Sequence, residues 1–142
     1  MIIRIKSDIS TKFHIDLVWW QKSRRSLRLF LYDAYCSECK AHIGELNGNE
    51  ELDYVDPRTG EVRRMSKSWG RLVAHCSEQD DYITLDTPLT VAMFRALLAN
   101  GNEPLSPVEL CERIGKSDPD TVLRVLSGKT IYYGIMPVDD SV

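Results

Sequence analysis

Four side chains in this sequence carry the chemistry of soft-metal ligation: Cys36 and Cys39, spaced Cys36-Ser37-Glu38-Cys39, and the adjacent pair His75-Cys76. Zinc takes four tetrahedral ligands from Cys and His, and two cysteines three apart on a tight turn can reach one ion while nearby backbone amides donate to the thiolates. The second half of such a site comes from Cys76 with His75, or with His42, three residues beyond Cys39. Neighbouring residues on a helix point about 100° apart, so His75 and Cys76 can share an ion only if a helix ends there. The simpler reading keeps Cys36, Cys39 and Cys76 as small buried thiols and His75 on the surface. A redox C-x-x-C pair is a third reading. It needs a helix N-terminus, usually after a strand, to depress one thiol pKa; here the pair follows a helical pattern instead. Cys111 falls on an apolar helix face and reads as core.

At 142 residues the chain has room for one ordinary domain or two small ones. Its hydrophobic content of 43% and charged content of 27% are those of a globular protein. The net charge of −3 excludes a global basic field of the kind that drives non-specific nucleic-acid binding. Met1 to Lys6 alternates apolar and basic residues and reads as a strand rather than a secretion signal. No run approaches the roughly 18 apolar residues of a spanning helix, so the expected compartment is the cytoplasm. Thiols stay reduced there, which favours metal binding or burial over disulfides.

The elements that would position the four ligands follow from pattern. Asp16 caps a helix on which Leu17, Trp20, Leu27, Phe30, Leu31 and Ala34 recur at helical spacing, so one amphipathic helix is expected from Leu17 to near Tyr35. Residues 45–51 are polar and read as a loop. Leu52 to Val55 and Glu61 to Met65, around Asp56-Pro57-Arg58-Thr59-Gly60, read as a β-hairpin with Gly60 left-handed. Ser66 or Ser68 caps a second helix whose buried face carries Trp69, Leu72, Val73 and Cys76. Tyr82 to Leu85 reads as a short extended segment, and an internal boundary is expected after it.

Beyond that boundary three helices are expected. The first runs Leu89 to Ala99 and stops at Asn100-Gly101-Asn102; the second opens at Ser106-Pro107 and ends at Gly115; the third, capped by Asp118 or Ser117, spans Pro119 to Leu126. Lys129 to Val138 then supplies a strand. The run from Leu105 to Leu126, with its Ser-Pro opening, Ile114-Gly115 turn and capped final helix, resembles the winged-helix superfamily. The resemblance covers about the last third of the chain and implies that the last helix would make groove contact, with Asp120, Thr121 and Arg124 on its exposed side doing the reading. The residues themselves are unusual for a DNA reader, since base and phosphate contacts rely on Arg, Lys, Asn and Gln. From Leu89 onward there are five Lys/Arg against seven Asp/Glu. Winged helices also dock proteins or dimerise, and Tyr132-Tyr133 suits an interface.

Positive charge gathers in the N-terminal half, as Lys22, Arg24, Arg25 and Arg28 and as Arg58, Arg63, Arg64, Lys67 and Arg71. These form a nucleic-acid surface if they converge, and otherwise solvated faces with local ion pairs. There is no P-loop, G-x-G-x-x-G, G-x-S-x-G or H-E-x-x-H motif.

The expectation is therefore an α+β chain. Residues 1–85 form a helix-hairpin-helix half stapled by structural zinc on Cys36, Cys39, Cys76 and His75, and residues 86–142 form a winged-helix-like half. The expected role is non-catalytic recognition or regulation. One version is a nucleic-acid-binding transcriptional regulator using Arg24, Arg25, Arg28, Arg63, Arg64, Lys67 and Arg124; the alternative is a protein-interaction or homodimerisation module. No membrane contact is expected.

Overall fold

The computed structural model describes residues 7–42, 51–55, 60 and 62–138. The expected strand at Met1 to Lys6, the expected loop over 45–51 except Glu51, which begins a strand, the hairpin turn at 56–59 and the side chains of Arg63 and Arg64 lie outside the described residues.

Phe13–Ile15 forms strand β1, with Phe13 and Ile15 buried on one side as the period-2 pleat requires. Asp16 then caps α1 (Leu17–Lys22), its carboxylate accepting from the Val18 and Trp19 amides. The single helix expected to run on to Tyr35 is broken. Arg24 adopts φ +63°, a left-handed conformation a helix cannot contain, and a second helix α2 starts at Leu27 and ends at Ala34. The physical reason is packing: the break lets Trp20 and Phe30 meet at 5.0 Å between ring centroids and close on Phe94. Helix α3 (Ser37–Ala41) follows at once with Cys36 as its N-cap.

Strands β2 (Glu51–Val55) and β3 (Val62–Ser66) pair antiparallel in register, the expected hairpin, and Gly60 has φ +75°. Ser66 caps α4 (Lys67–Ala74) by accepting from the Trp69 amide. A 3-10 turn covers Cys76–Glu78. The expected extended segment Tyr82 to Leu85 is a series of turns, held by the Thr87 hydroxyl accepting from the Thr84 amide.

Helix α5 (Leu89–Ala99) is the central beam of the molecule, burying Ala92, Met93, Phe94, Ala96, Leu97 and Leu98. Helix α6 (Pro107–Ile114) opens with a complete capping box between Ser106 and Glu109 and ends at left-handed Gly115, φ +79°. Asp118 caps α7 (Pro119–Leu126). Of the long β-rich run that follows, only Ile135–Pro137 forms a strand, β4.

Strand β4 finds its partner at the other end of the chain. It pairs antiparallel with β1, and Phe13 also bridges Leu105. Asn102 clamps β1 further: its side-chain amide donates to the Ile15 carbonyl and its oxygen accepts from the Ile15 amide. Gly134 is required beside this junction. Its φ is +74°, and a Cβ there would lie 2.9 Å from the Trp20 indole nitrogen, which donates to the Tyr133 carbonyl. One buried cluster thus runs from Phe13 and Trp20 through α5 to Leu126 and Ile135. The architecture is a mixture of helices with two-stranded sheets, and among the described residues no helix is long and apolar enough to cross a membrane.

Candidate metal centre

Two chain reversals build the site. At the first, Tyr35 is extended and buried, its hydroxyl donating to the Ser68 carbonyl at the start of α4, so the end of α2 is tied to α4. That tie sets Cys36 at the N-cap of α3 and Cys39 on its buried face, 2% exposed. The expectation that the C-x2-C pair trails a helix is corrected here: the pair also opens a new one. At the second reversal, α4 stops at Ala74. His75 leaves helical geometry at φ −127°, ψ −59°, and Cys76 begins the 3-10 turn. The helix therefore ends where both adjacent residues need it to, and the two side chains converge.

Cys36, Cys39, His75 and Cys76 offer ligand atoms that all lie within 4.8 Å of one another. His75 Nδ1 is 3.4 Å from Cys36 Sγ and 3.5 Å from Cys39 Sγ. The Cys36 and Cys76 sulfurs are 3.7 Å apart. Zinc–sulfur bonds of about 2.3 Å and zinc–nitrogen bonds of about 2.0 Å imply tetrahedral edges of about 3.8 Å between sulfurs and about 3.5 Å between sulfur and nitrogen. These three separations match those edges and the remaining three lie within 4.8 Å, a donor set compatible with a four-coordinate ion.

The surroundings orient the donors. His75 turns its other nitrogen, Nε2, toward Glu38 Oε2 at 3.5 Å, a carboxylate contact of the kind that fixes which nitrogen is free to ligate. Arg71, one turn before His75 on α4, donates from Nε to Cys39 Sγ at 3.3 Å. Burial alone would raise the Cys36 thiol pKa; the Cys39 amide, the Cys39 and Cys76 thiols and the Glu38 amide outweigh it and bring it below the ordinary value. Cys76, fully buried, is pushed up to about 12, chiefly by burial, with the Cys36 amide opposing.

His42, the alternative fourth ligand, caps the C-terminus of α3 and is not among the four converging residues. Cys111 sits half-buried on α6, also outside the group. Arg71 and Glu38 had no part in the sequence reading of the site. Both could have been found by spacing, Arg71 four residues before His75 on a helix and Glu38 inside the C-x2-C loop.

The residues expected to contact nucleic acid are distributed over several elements. Arg24 and Arg25 occupy the exposed break between α1 and α2, Arg28 is exposed on α2, Lys67 is half-buried at the start of α4, and Arg124 is exposed on α7. Asp118 shares the α7 end with Arg124, which helps the Thr121 amide and hydroxyl hold that carboxyl below its usual range.

Compared with protein-family models, with curated proteins and with solved structures, the chain matches none.

Proposed function

We propose that the chain is a non-catalytic recognition module whose Cys36-Cys39-His75-Cys76 group holds a structural zinc ion. The observation that carries this is the convergence of four ligand atoms within 4.8 Å, at edges that suit tetrahedral zinc. Soft sulfur donors favour zinc over magnesium or calcium, which take oxygen. Four protein ligands complete the coordination sphere, whereas catalytic zinc keeps a position open for water. The ion's task is mechanical: it joins the start of α3 to the end of α4 across the β2–β3 hairpin. Metal analysis of the chain purified without added zinc tests this. One zinc per chain supports it; a fully folded chain with a small fraction of that overturns it.

Two surfaces favour different partners. Arg24, Arg25 and Arg28 lie exposed within one short stretch, which suits a phosphate backbone. Leu29 is 64% exposed on α2, with Tyr32 exposed beside it one turn on, which suits a protein. In a helix-turn-helix reading, α6 and α7 would present Asp120, Thr121 and Arg124, a face too acidic to lead nucleic-acid contact. Duplex-DNA binding measured at low and moderate salt separates the partners. Affinity that falls steeply with salt, and falls again on charge removal by Arg24→Gln with Arg25→Gln, supports nucleic acid; no binding at low salt leaves the protein-docking role.

A further inference from the structure

A cavity of about 280 Å³ lies against the metal centre, and its lining is selective. Cys36 and Cys76 face it together with Asp33, Tyr35, Tyr82 and Arg95, whereas Cys39 and His75 are not on its wall. Cys39 carries the Arg71 hydrogen bond on its sulfur. Cys36 is half-buried rather than sealed. A small neutral molecule entering the cavity therefore meets the Cys36 sulfur first, with the fully buried Cys76 sulfur 3.7 Å behind it. Contraction to the about 2.05 Å of a disulfide asks for a displacement of under about 2 Å. The cavity wall is firm on its far side, because the Arg95 guanidinium donates to the Tyr82 and Asp33 carbonyls and the Tyr82 hydroxyl donates to the Arg95 carbonyl.

We propose that this corner is an oxidant-sensitive switch in which hydrogen peroxide couples Cys36 to Cys76 and releases the metal ion. The proposal rests on the structural zinc reading above. In the first step the Cys36 thiolate attacks one peroxide oxygen; an S–O bond forms, the O–O bond breaks, and the departing hydroxide takes a proton to become water. In the second, the Cys76 thiolate attacks the Cys36 sulfur; the S–S bond forms, the S–O bond breaks, and the second hydroxide leaves and is protonated. Two thiolates, one peroxide and two protons give one disulfide and two waters, the sulfurs losing the two electrons that the peroxide gains. A dication left with only Cys39 and His75 has lost half its ligands and dissociates. The loss frees α3 from the end of α4 when the disulfide forms.

The test uses the full zinc-loaded chain, titrated with hydrogen peroxide while a chromogenic chelator reports free zinc. Free thiols are then alkylated and the disulfides mapped by mass spectrometry. One zinc released for each Cys36–Cys76 disulfide, with zinc rebinding after reduction, is the expected result. Cys76→His keeps a ligand but removes a thiol, and should hold zinc while releasing it about tenfold more slowly in peroxide. Cys111→Ser, distant from the cavity, should behave as the parent chain, and it preserves the test if the Cys76 variant fails to fold. Zinc that stays bound under peroxide, or a disulfide that uses Cys39 or Cys111, overturns the switch and leaves the structural site standing. A chain that never carries zinc overturns both.

Discussion

Helix α5 buries six of its eleven residues, Ala92, Met93, Phe94, Ala96, Leu97 and Leu98, while α3 buries one of five, Cys39. The two regions meet in a single core, yet they are held by different means. Around α5 the contacts are apolar and many-sided: Phe94 stacks on Tyr133 at 5.1 Å, Leu97, Leu98 and Leu110 are fully enclosed, and each neighbouring helix begins with its own cap. Such a region holds itself by burial, at about 25 cal/mol per Å² of apolar surface. A five-residue helix is too short to persist by propensity, and α3 has little apolar surface to bury. Its position depends on the Tyr35 hydroxyl bond to Ser68 and on the four converging ligands. On the zinc proposal, metal coordination would substitute for a core where the chain is too short to make one.

On the zinc proposal, removing the metal has the largest expected effect. Structural zinc sites in small modules contribute apparent binding free energies of about 10–16 kcal/mol at neutral pH. Chelation, or Cys39→Ser, should therefore open the α3–α4 corner by more than any single substitution elsewhere. Native-state hydrogen exchange reads the outcome: amides of α3 and the end of α4 lose protection while those of α5 keep theirs. Equal loss across the chain would mean that the corner and the beam are one cooperative unit.

A second substitution tests the other region. Leu97 is fully buried on α5, and Leu97→Ala leaves a cavity that should destabilise the whole chain by about 2–5 kcal/mol. Urea unfolding followed by tryptophan fluorescence measures it, since Trp20 packs on Phe94 in the same core. Zinc content per folded chain should be unchanged. Metal loss accompanying Leu97→Ala would show that the centre depends on the apolar core rather than standing beside it.

The same contrast explains what could be read without coordinates. The three C-terminal helices were legible to within a residue because their limits are set locally: Ser106-Pro107, Gly115, Asp118-Pro119 and Asn100-Gly101 each act over three or four positions. The hairpin and the caps at Asp16 and Ser66 were legible for the same reason. The four ligands were legible as residue types, but the choice of His75 over His42 depends on how α4 ends, which no local pattern states. The break at Arg24 was missed because Trp20, Phe30 and Phe94 enforce it from a distance. Strand β1 was missed because its partners, Leu105 and Ile135 to Pro137, lie some ninety to one hundred and twenty positions away in sequence. The Asn102 clamp on Ile15 is of the same long-range kind.

The smallest expected effect lies where the two ends of the chain meet away from the metal. Glu109 completes the α6 capping box, accepting from the Ser106 amide at 3.0 Å, and also receives a hydrogen bond from the Lys12 ammonium just before β1. The Lys12 bond, then the Ser106 amide, hold the Glu109 carboxyl below the usual carboxylate range against a small opposing effect of burial. A carboxyl whose pKa is lower folded than unfolded binds fewer protons in the native state. Its contribution is complete above the unfolded value near about pH 4.3 and is lost as the pH falls through the folded one. Both side chains are partly exposed, at 48% and 35%, so the ion pair itself contributes under about 1 kcal/mol. Glu109→Gln keeps the shape and removes the charge. Thermal unfolding of the two chains should differ slightly at pH 7 and converge as the pH falls through the lowered range of the folded carboxyl, with zinc content measured at pH 7 the same in both. A difference that persists or grows in acid would show that the capping hydrogen bond at the start of α6, and not the charge facing Lys12, is the larger contribution of Glu109.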